Sequence, residues 1–322
     1  MKLASIETVS EILPHPNADK LEIAKVLGWQ SVVRKGEFKT GDTVVFVVID
    51  TILPVAPWSE FLKKGDKQIR LKTAKIRGQY SQGLVLPMSV LPDCTKQWHM
   101  GSDVGCELGI KKYEKEVPLA LSGVVKGTFP QHLAPRTDED NGLSNPDLVA
   151  EVLKYPIRVT VKLDGSSCTV IVRDGKIDQV CSRNQSLMES DSNAFWAAAK
   201  KLELPVGDWV IQGELMGPGI QGNQLGLTSP ELFVYQVRKI DGTWITDPYK
   251  FPFDCRSVWT LVNPYETPTL ERLQGLADEV VLSPREGILI PAEGIVVRPV
   301  NPITAGNGRP LSFKIINRNY AD

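Results

Sequence analysis

The sequence is poor in the residues that staple or metallate small domains. Only three histidines occur, His15, His99 and His132, and they lie far apart, so a histidine-built metal site is not expected. The five cysteines, Cys94, Cys106, Cys168, Cys181 and Cys255, are odd in number and form no Cys-x-x-Cys pair. That argues against a disulfide framework or a zinc knuckle and fits a reducing compartment. Long apolar runs are missing too. Glu7 and Glu11 interrupt the opening "MKLASIETVSEIL", so neither a signal peptide nor a membrane span is expected, and the expected location is cytoplasmic. Charge of one sign is also lacking: 37 basic against 38 acidic residues leave a net charge of −1. The chain is no polycation, so any nucleic-acid surface must come from local clustering. No repeat or low-complexity segment is found.

What is present is enough for two domains in 322 residues, with an ordinary apolar fraction to fill their cores. The first hundred residues carry short strand candidates, "TVVFVVI" (Thr43–Ile49) and "GLVLPM" (Gly83–Met88), between Gly- and Pro-rich turns. Such a pattern predicts a small barrel or sandwich. Around "IKKYEKEVP" (Ile110–Pro118) charge rises and apolar density falls, which places a boundary between 116 and 117. Beyond it, "APRTDEDNGLSNPD" (Ala134–Asp147) reads as a surface loop with a helix start near Pro146. Helices are expected in "SNAFWAAAKKLEL" (Ser192–Leu204), capped by its serine, and in "TPTLERLQGLADEVV" (Thr267–Val281). Strands are expected in "WVIQGEL", "LFVYQV", "EGIVVRP" and "LSFKII". The second part is therefore expected to be an α+β domain on antiparallel sheets.

One lysine is oddly placed. In "IRVTVKLDGSSCTVIVRDGK" (Ile157–Lys176), period-two alternation puts Val159, Val161 and Leu163 on one face and Thr160 and Lys162 on the other. Asp164-Gly165 reads as a hairpin turn, which would bring Lys162 and Asp164 to one face. A surface ion pair is one reading. A nucleophile is the other. A lysine amine with a pKa of about 10.4 must then lose its proton through burial or a nearby cation. Attack on the α-phosphate of a nucleotide would form a lysyl-nucleotide, and carboxylates would have to hold the metal for it. Asp164, Glu214 (in "IQGELMGPGIQGN") and Glu293 (in "AEGIVVRP") are the candidates, acting on a magnesium that keeps several waters.

Six segments in order support the second reading: "KLDG" (Lys162–Gly165), "SRN" with Arg183, "GEL" with Glu214, "LFVYQV" with Phe233 and Tyr235, "EGIVVRP" with Glu293 and Arg298, and "LSFKIINRNY" with Lys314. This series resembles the covalent nucleotidyltransferase superfamily of ATP-dependent ligases and capping enzymes. "GELMGPGIQGN" and "SFKIINRNY" are most similar to its RNA ligases. One departure is Ile316, where many members carry the second lysine of Lys-x-Lys, so phosphate contact is expected from Lys314, with Asn317 or Arg318 as helpers. In the first part, "HPNADKLEIAKVLGW" (His15–Trp29) and "KIRGQYSQGLVL" (Lys75–Leu86) resemble tRNA-binding OB-fold modules. An OB module ahead of the nucleotidyltransferase domain resembles nick-sealing RNA ligases.

The resemblance implies an N-terminal OB-fold β-barrel (1–116) and a nucleotidyltransferase, or adenylation, domain of antiparallel sheets with flanking helices (117–322). It implies an ATP-dependent RNA ligase that joins 3′-OH and 5′-phosphate RNA ends, at nicks, in duplex or splinted RNA, through lysyl-AMP and an RNA-adenylate. Lys162 would be the nucleophile. ATP or AMP would contact Arg183, Glu214, Phe233, Tyr235, Lys314, Ser167 and Arg136, with backbone groups near Thr160 and Val161 reading adenine. Asp164, Glu214 and Glu293 would hold Mg2+ or Mn2+ through waters. The basic run Lys63, Lys64, Lys67, Arg70, Lys72, Lys75 and Arg77 would form a positive strip along RNA, its bland alternative being a solvated strand face. A monomer needs no further assumption. A DNA ligase, a capping guanylyltransferase and an RNA-binding protein with a retired catalytic domain are the alternatives.

Overall fold

A computed structural model of the chain describes residues 2–63, 65, 68–92, 98–113, 125–239, 241–262, 268–285, 287–306 and 308–320. The chain divides into two compact units, Met1–Lys115 with Gly142–Pro146, and Glu116–Asn141 with Asp147–Asp322. The boundary expected at 116/117 lies outside the described residues, as do Lys64 and Lys67.

The first unit is built on a curled five-stranded antiparallel sheet. Its order is Trp29–Arg34, Leu21–Val26, Ala4–Pro14, Thr43–Val47, Leu84–Pro87. The long first strand makes the curl possible. A bulge between Val9 and Glu11 lets its first half pair with Thr43–Val47 and its second half with Leu21–Val26. Ile6, Val45, Val47 and Leu86 close over the inner face together with Leu53 and Ile69 from a smaller sheet. That smaller sheet runs Lys111–Lys112, Thr51–Leu53, Ile69–Leu71, and a two-stranded hairpin of Ala74–Ile76 and Gln79–Ser81 stands beside it in sequence.

The second unit holds two larger sheets. A seven-stranded sheet is ordered Val125–Thr128, Gln185–Leu187, Lys176–Cys181, Ser166–Arg173, Trp209–Met216, Glu231–Lys239, Trp244–Ile245. A five-stranded sheet is ordered Asp140–Asn141, Phe313–Ile316, Gly294–Pro299, Ile157–Lys162, Thr260–Val262. Among the named strands of these two sheets the pairings are antiparallel except that of Asp140–Asn141 with Phe313–Ile316. Near-continuous burial of Ile157–Val161 and Gly294–Pro299 shows both to be central strands covered on two sides.

Here the structure corrects one expectation. Asp164-Gly165 does not close a hairpin. The strand before it, Ile157–Lys162, belongs to the five-stranded sheet, and the strand after it, Ser166–Arg173, to the seven-stranded one. Leu163–Gly165 is thus a crossing point between sheets. Alternation alone could not reveal this, because each strand looks the same whichever partner it finds.

The helices are few and short. Ala194–Ala199 is capped by Asn193, not by the expected serine; the Asn193 side chain accepts from the N–H groups of Phe195 and Trp196. The helix Leu270–Glu279 is capped by Thr269 and buries Leu273 and Ala277. Pro146–Val152 begins at the predicted proline.

Candidate active site

Register explains how separate segments reach one place. In the five-stranded sheet Lys162 lies opposite Gly294, and Gly294 opposite Ile316. Thr160 lies opposite Val296, and Val296 opposite Lys314. Directly opposed residues share a face, so Arg158, Thr160, Lys162, Arg298, Lys314 and Ile316 all belong to one face. In the seven-stranded sheet Ser167 opposes Glu214 and Glu214 opposes Phe233, giving a second row.

Two glycines let these rows converge. A Cβ on Gly165 would stand 2.5 Å from Met216 Sδ and 2.9 Å from Glu214 Cγ. Its N–H donates to Glu214 Oε1 at 3.1 Å. The glycine of "KLDG" is therefore needed because the Glu214 strand lies against it. Gly294, at φ +153, has the Asn317 amide 3.1 Å from where a Cβ would be. The glycine after Glu293 lets the final strand close on this turn.

At the meeting point Lys162 Nζ donates to Glu293 Oε2 at 2.5 Å, with both side chains about one-fifth exposed. Burial pushes the lysine's proton affinity down, but the charges of Glu293 and Glu214 outweigh it and hold the amine above the ordinary lysine range. Burial pushes the Glu214 carboxyl up to about 8, Lys162 opposing and Glu293 and Asp164 adding to the rise. Glu293 is also raised, by burial first, with Lys162 opposing. Three acids thus gather at the Lys162 ammonium, Glu214 holding its proton to about pH 8 and Lys314 also acting on Glu293. Such a site has room for more positive charge, the property a divalent cation would satisfy. Among the described residues no group of three or more His, Cys, Asp or Glu side chains forms a direct cage.

Around this centre lies a belt of arginines and acids. Arg298 Nη2 donates to Glu139 Oε1 at 2.8 Å, its Nη1 to Thr160 Oγ1 at 3.4 Å, and its guanidinium stands 5.5 Å from the centre of the Tyr235 ring. Tyr235 is the residue left over by a bulge, since Gln212 opposes Gln236 while Gly213 opposes Val234. The bulge turns its ring toward Arg298. Arg183 pairs with Asp138 at 2.5 Å, and Thr137 shares a 2.8 Å hydrogen bond with Ser167. The loop that bears these acids is tied down by Gln212, which donates to the Pro135 carbonyl at 3.0 Å. Arg136 Nε is buried without a hydrogen-bond partner, an unmet donor of the kind an anion would satisfy.

The remaining candidates sit as follows. Phe233 is buried, its ring tilted against Trp259 at 5.6 Å and its face 5.8 Å from the Arg256 guanidinium. The Val161 N–H donates to the Trp259 carbonyl at 2.9 Å and is not open to a base. Asn317 and Arg318, the expected helpers of Lys314, are engaged elsewhere. Asn317 donates to the Ala292 carbonyl at 3.0 Å, and Arg318 Nε to Asp278 Oδ2 at 2.9 Å. Sequence reasoning missed Asp138, Glu139, Trp259 and Tyr320; for the first two, the acidic run in "PRTDED" was a usable signal.

In the first unit the basic residues do not share one strand. Arg70 lies in Ile69–Leu71, whereas Lys75 and Arg77 belong to the Ala74–Ser81 hairpin. Arg70 is committed: it pairs with Asp50 at 2.8 Å and stacks 3.5 Å from the Tyr113 ring centre. Lys63, at the end of a short helical turn, and Lys72, Lys75 and Arg77 are all exposed and remain at the surface.

Comparison with known proteins then gives a consistent picture. Residues 156–316 match the RNA ligase family model, and residues 3–88 match an OB-fold domain model. A search of curated proteins gives no match. Among solved structures, a ligand-free lysine-to-alanine variant of Naegleria gruberi RNA ligase aligns with a TM-score of 0.83 at 32% identity, over 98% of this chain and 97% of that one. A glutamate-to-alanine variant of the same ligase with ATP and Mn gives 0.82 at 32%, covering 98% and 97%. A lysine-to-methionine variant with AMP and Mn gives 0.83 at 32%, again over 98% and 97%.

Proposed function

The chain belongs to the RNA ligase family, nucleotidyltransferases that use ATP, and carries an N-terminal OB-fold domain; we propose that it seals nicks between 3′-OH and 5′-phosphate RNA ends, with Lys162 as the nucleophile. The observation that carries this reading is the 2.5 Å contact of Lys162 with Glu293, in a site where the acids Glu214 and Asp164 also gather.

In the first step the Lys162 amine attacks the α-phosphorus of ATP. An N–P bond forms, the P–O bond to pyrophosphate breaks, and the amine sheds its proton. In the second, a 5′-phosphate oxygen of RNA takes the AMP and the N–P bond breaks. In the third, the 3′-hydroxyl oxygen attacks the activated 5′-phosphate and AMP leaves. A bound Mg2+ or Mn2+ would neutralise charge on the phosphate oxygens and lower the lysine's hold on its proton. Asp164, Glu214 and Glu293 would hold it through waters. Support for the metal comes from the crowding of these acids and from the ATP- and AMP-bound Naegleria structures that contain Mn.

Lys162 begins as an ammonium paired with Glu293, so the free site is not poised for attack. Neutralising Glu293, as a bound cation would, weakens the lysine's hold on its proton. Lys314, Arg183 and Arg136 are the groups we assign to the phosphates, Arg136 because its Nε lacks a partner. Ser167 stands in the Glu214 row as a weaker candidate. Tyr235 with Arg298 and Thr160 would line the base, and Phe233 supports that wall from behind. The OB domain would hold RNA through phosphate contacts from Lys63, Lys72, Lys75 and Arg77. A panel of nicked duplexes, RNA or DNA with ribose or deoxyribose at the 3′ end, tests the substrate: sealing of the all-RNA nick is expected, and preference for an all-DNA nick contradicts it.

A further inference from the structure

The carboxylate of Asp164 is gripped by a residue at the far end of the chain. Tyr320 Oη donates to Asp164 Oδ2 at 2.6 Å, a short hydroxyl-to-carboxyl hydrogen bond. The phenol has one proton, so once it is given to Asp164 its oxygen can only accept from others. Gln224 Nε2 donates to it at 2.6 Å, and this fixes which way the Gln224 amide faces. Gln224 Oε1 is buried without a hydrogen-bond partner, so the amide's place rests on Tyr320. A chain of three side chains, Gln224 to Tyr320 to Asp164, joins the "GPGIQGNQ" loop, the terminal "NRNY" and the "KLDG" segment.

Tyr320 is not a loose end that happens to touch the site. The turn before it is anchored at every residue. Asn317 is buried and donates to the carbonyls of Ala292, at 3.0 Å, and Val280, at 3.5 Å. Its own N–H donates to the Glu293 carbonyl at 2.9 Å. Arg318 is fixed to Asp278 by its amide and by its guanidinium. Asn319 donates from its amide to Asn317 Oδ1 at 2.8 Å and from its side chain to the Asp278 carbonyl at 3.1 Å. The Tyr320 N–H closes the turn on the Asn317 carbonyl at 3.2 Å. Burial and the neighbouring Asp164 raise the phenol's proton affinity above the usual tyrosine range, so it stays a donor.

We propose that Tyr320 is a positioning residue for the reaction at Lys162: with Gln224 behind it, it locks the orientation of Asp164, and so the Asp164 contact to the cation's waters, through the C-terminal turn. The inference rests on the ligase reading above. Each wrong rotamer of the Asp164 carboxyl takes its oxygens away from the reacting phosphate, and a bond to one oxygen narrows that freedom.

The test uses the full chain as wild type, Tyr320→Phe, Gln224→Leu, Asp164→Asn and the double variant Tyr320→Phe/Asp164→Asn. Lysyl-AMP formation is followed with labelled ATP across a Mn2+ series, free Mn2+ is followed by electron paramagnetic resonance without ATP, and melting temperature is recorded. Tyr320→Phe is expected to slow adduct formation about tenfold, the loss of a hydrogen bond to a charged group. The KM for ATP should change less than twofold, Mn2+ binding should weaken several-fold, and the melting temperature should hold. Gln224→Leu should move the same readouts by less, and it keeps the test alive should Tyr320→Phe fold poorly. In the double variant Tyr320→Phe should add nothing to Asp164→Asn. Wild-type rates and Mn2+ binding in Tyr320→Phe, or full multiplication of the two single losses, overturn the inference. Absence of adduct in the wild type instead overturns the ligase reading itself, so the two failures are told apart.

Discussion

Arg298 and Tyr235 meet with the guanidinium 5.5 Å from the ring centre, although one lies on the five-stranded sheet and the other on the seven-stranded sheet. Arg298 also holds Glu139 at 2.8 Å, and both side chains of that pair are largely buried. One planar cation thus ties together two sheets and the acidic loop. Lysine, a compact point charge, cannot bond Glu139 and Thr160 and face the Tyr235 ring at once. Arg298→Lys is expected to lower adduct formation about tenfold, equal to ~1.4 kcal/mol, with a weaker ATP affinity. Single-turnover labelling at several ATP concentrations checks both parts; a variant with unchanged ATP affinity and rate contradicts the role.

Gly165 supplies a steric prediction. A methyl group there would meet Met216 Sδ at 2.5 Å and the Glu214 side chain at 2.9 Å. Gly165→Ala must push the Glu214 strand away or twist the sheet crossing, at a cost of ~1–3 kcal/mol. A lower melting temperature and loss of most lysyl-AMP formation are expected together. Thermal melts and labelling of the same preparation decide it, and retention of full activity would show that the strands are not so close.

The raised Glu214 carboxyl predicts a pH dependence. Its folded value of about 8 lies above the ordinary 4.5, so the folded state binds the proton more tightly than the unfolded one. The cost of ionising it in the fold is absent below pH 4.5, grows as pH rises, and is complete above about 8. Lys162 is raised as well, which favours the fold throughout this window and adds no slope. In metal-free buffer, the gain in melting temperature from Glu214→Gln should therefore be small at about pH 5 and grow toward about pH 8. A constant difference would contradict the assignment.

The OB domain predicts a separation of functions. Lys72 and Lys75 are exposed, and Lys75 stands 5.3 Å from the Tyr80 ring centre. Replacing both with alanine should leave lysyl-AMP formation intact. Sealing should weaken, and its salt dependence should become shallower by about one unit of log–log slope for each lost phosphate contact. Equal loss in both assays would place these lysines in the fold rather than on RNA.

Much of this was legible in the residues because the motifs are covalent neighbours of strands. "KLDG", "GEL" and "EGIVVRP" announced both their elements and their chemistry. What stayed hidden depends on partners distant in sequence. The Asp-Gly pair looked like a hairpin, and only the sheet assignment of its two flanks shows the crossing. Arg70 looked like part of a positive strip, yet Asp50 and Tyr113 occupy it. Tyr320 lay within a quoted segment, but its link to Asp164 spans 156 positions and has no local signature. The protonated state of Lys162 was equally unreadable: burial was foreseen, the surrounding acids were named, and their relative weight follows only from the distances.

The most direct measurement is covalent labelling. Wild-type protein mixed with ATP labelled at the α-phosphate and Mg2+ or Mn2+ should yield a stoichiometric, acid-labile protein–AMP adduct that peptide mapping assigns to Lys162, and Lys162→Ala should yield none. An adduct of undiminished amount in Lys162→Ala, or one mapped to another lysine, contradicts the proposal.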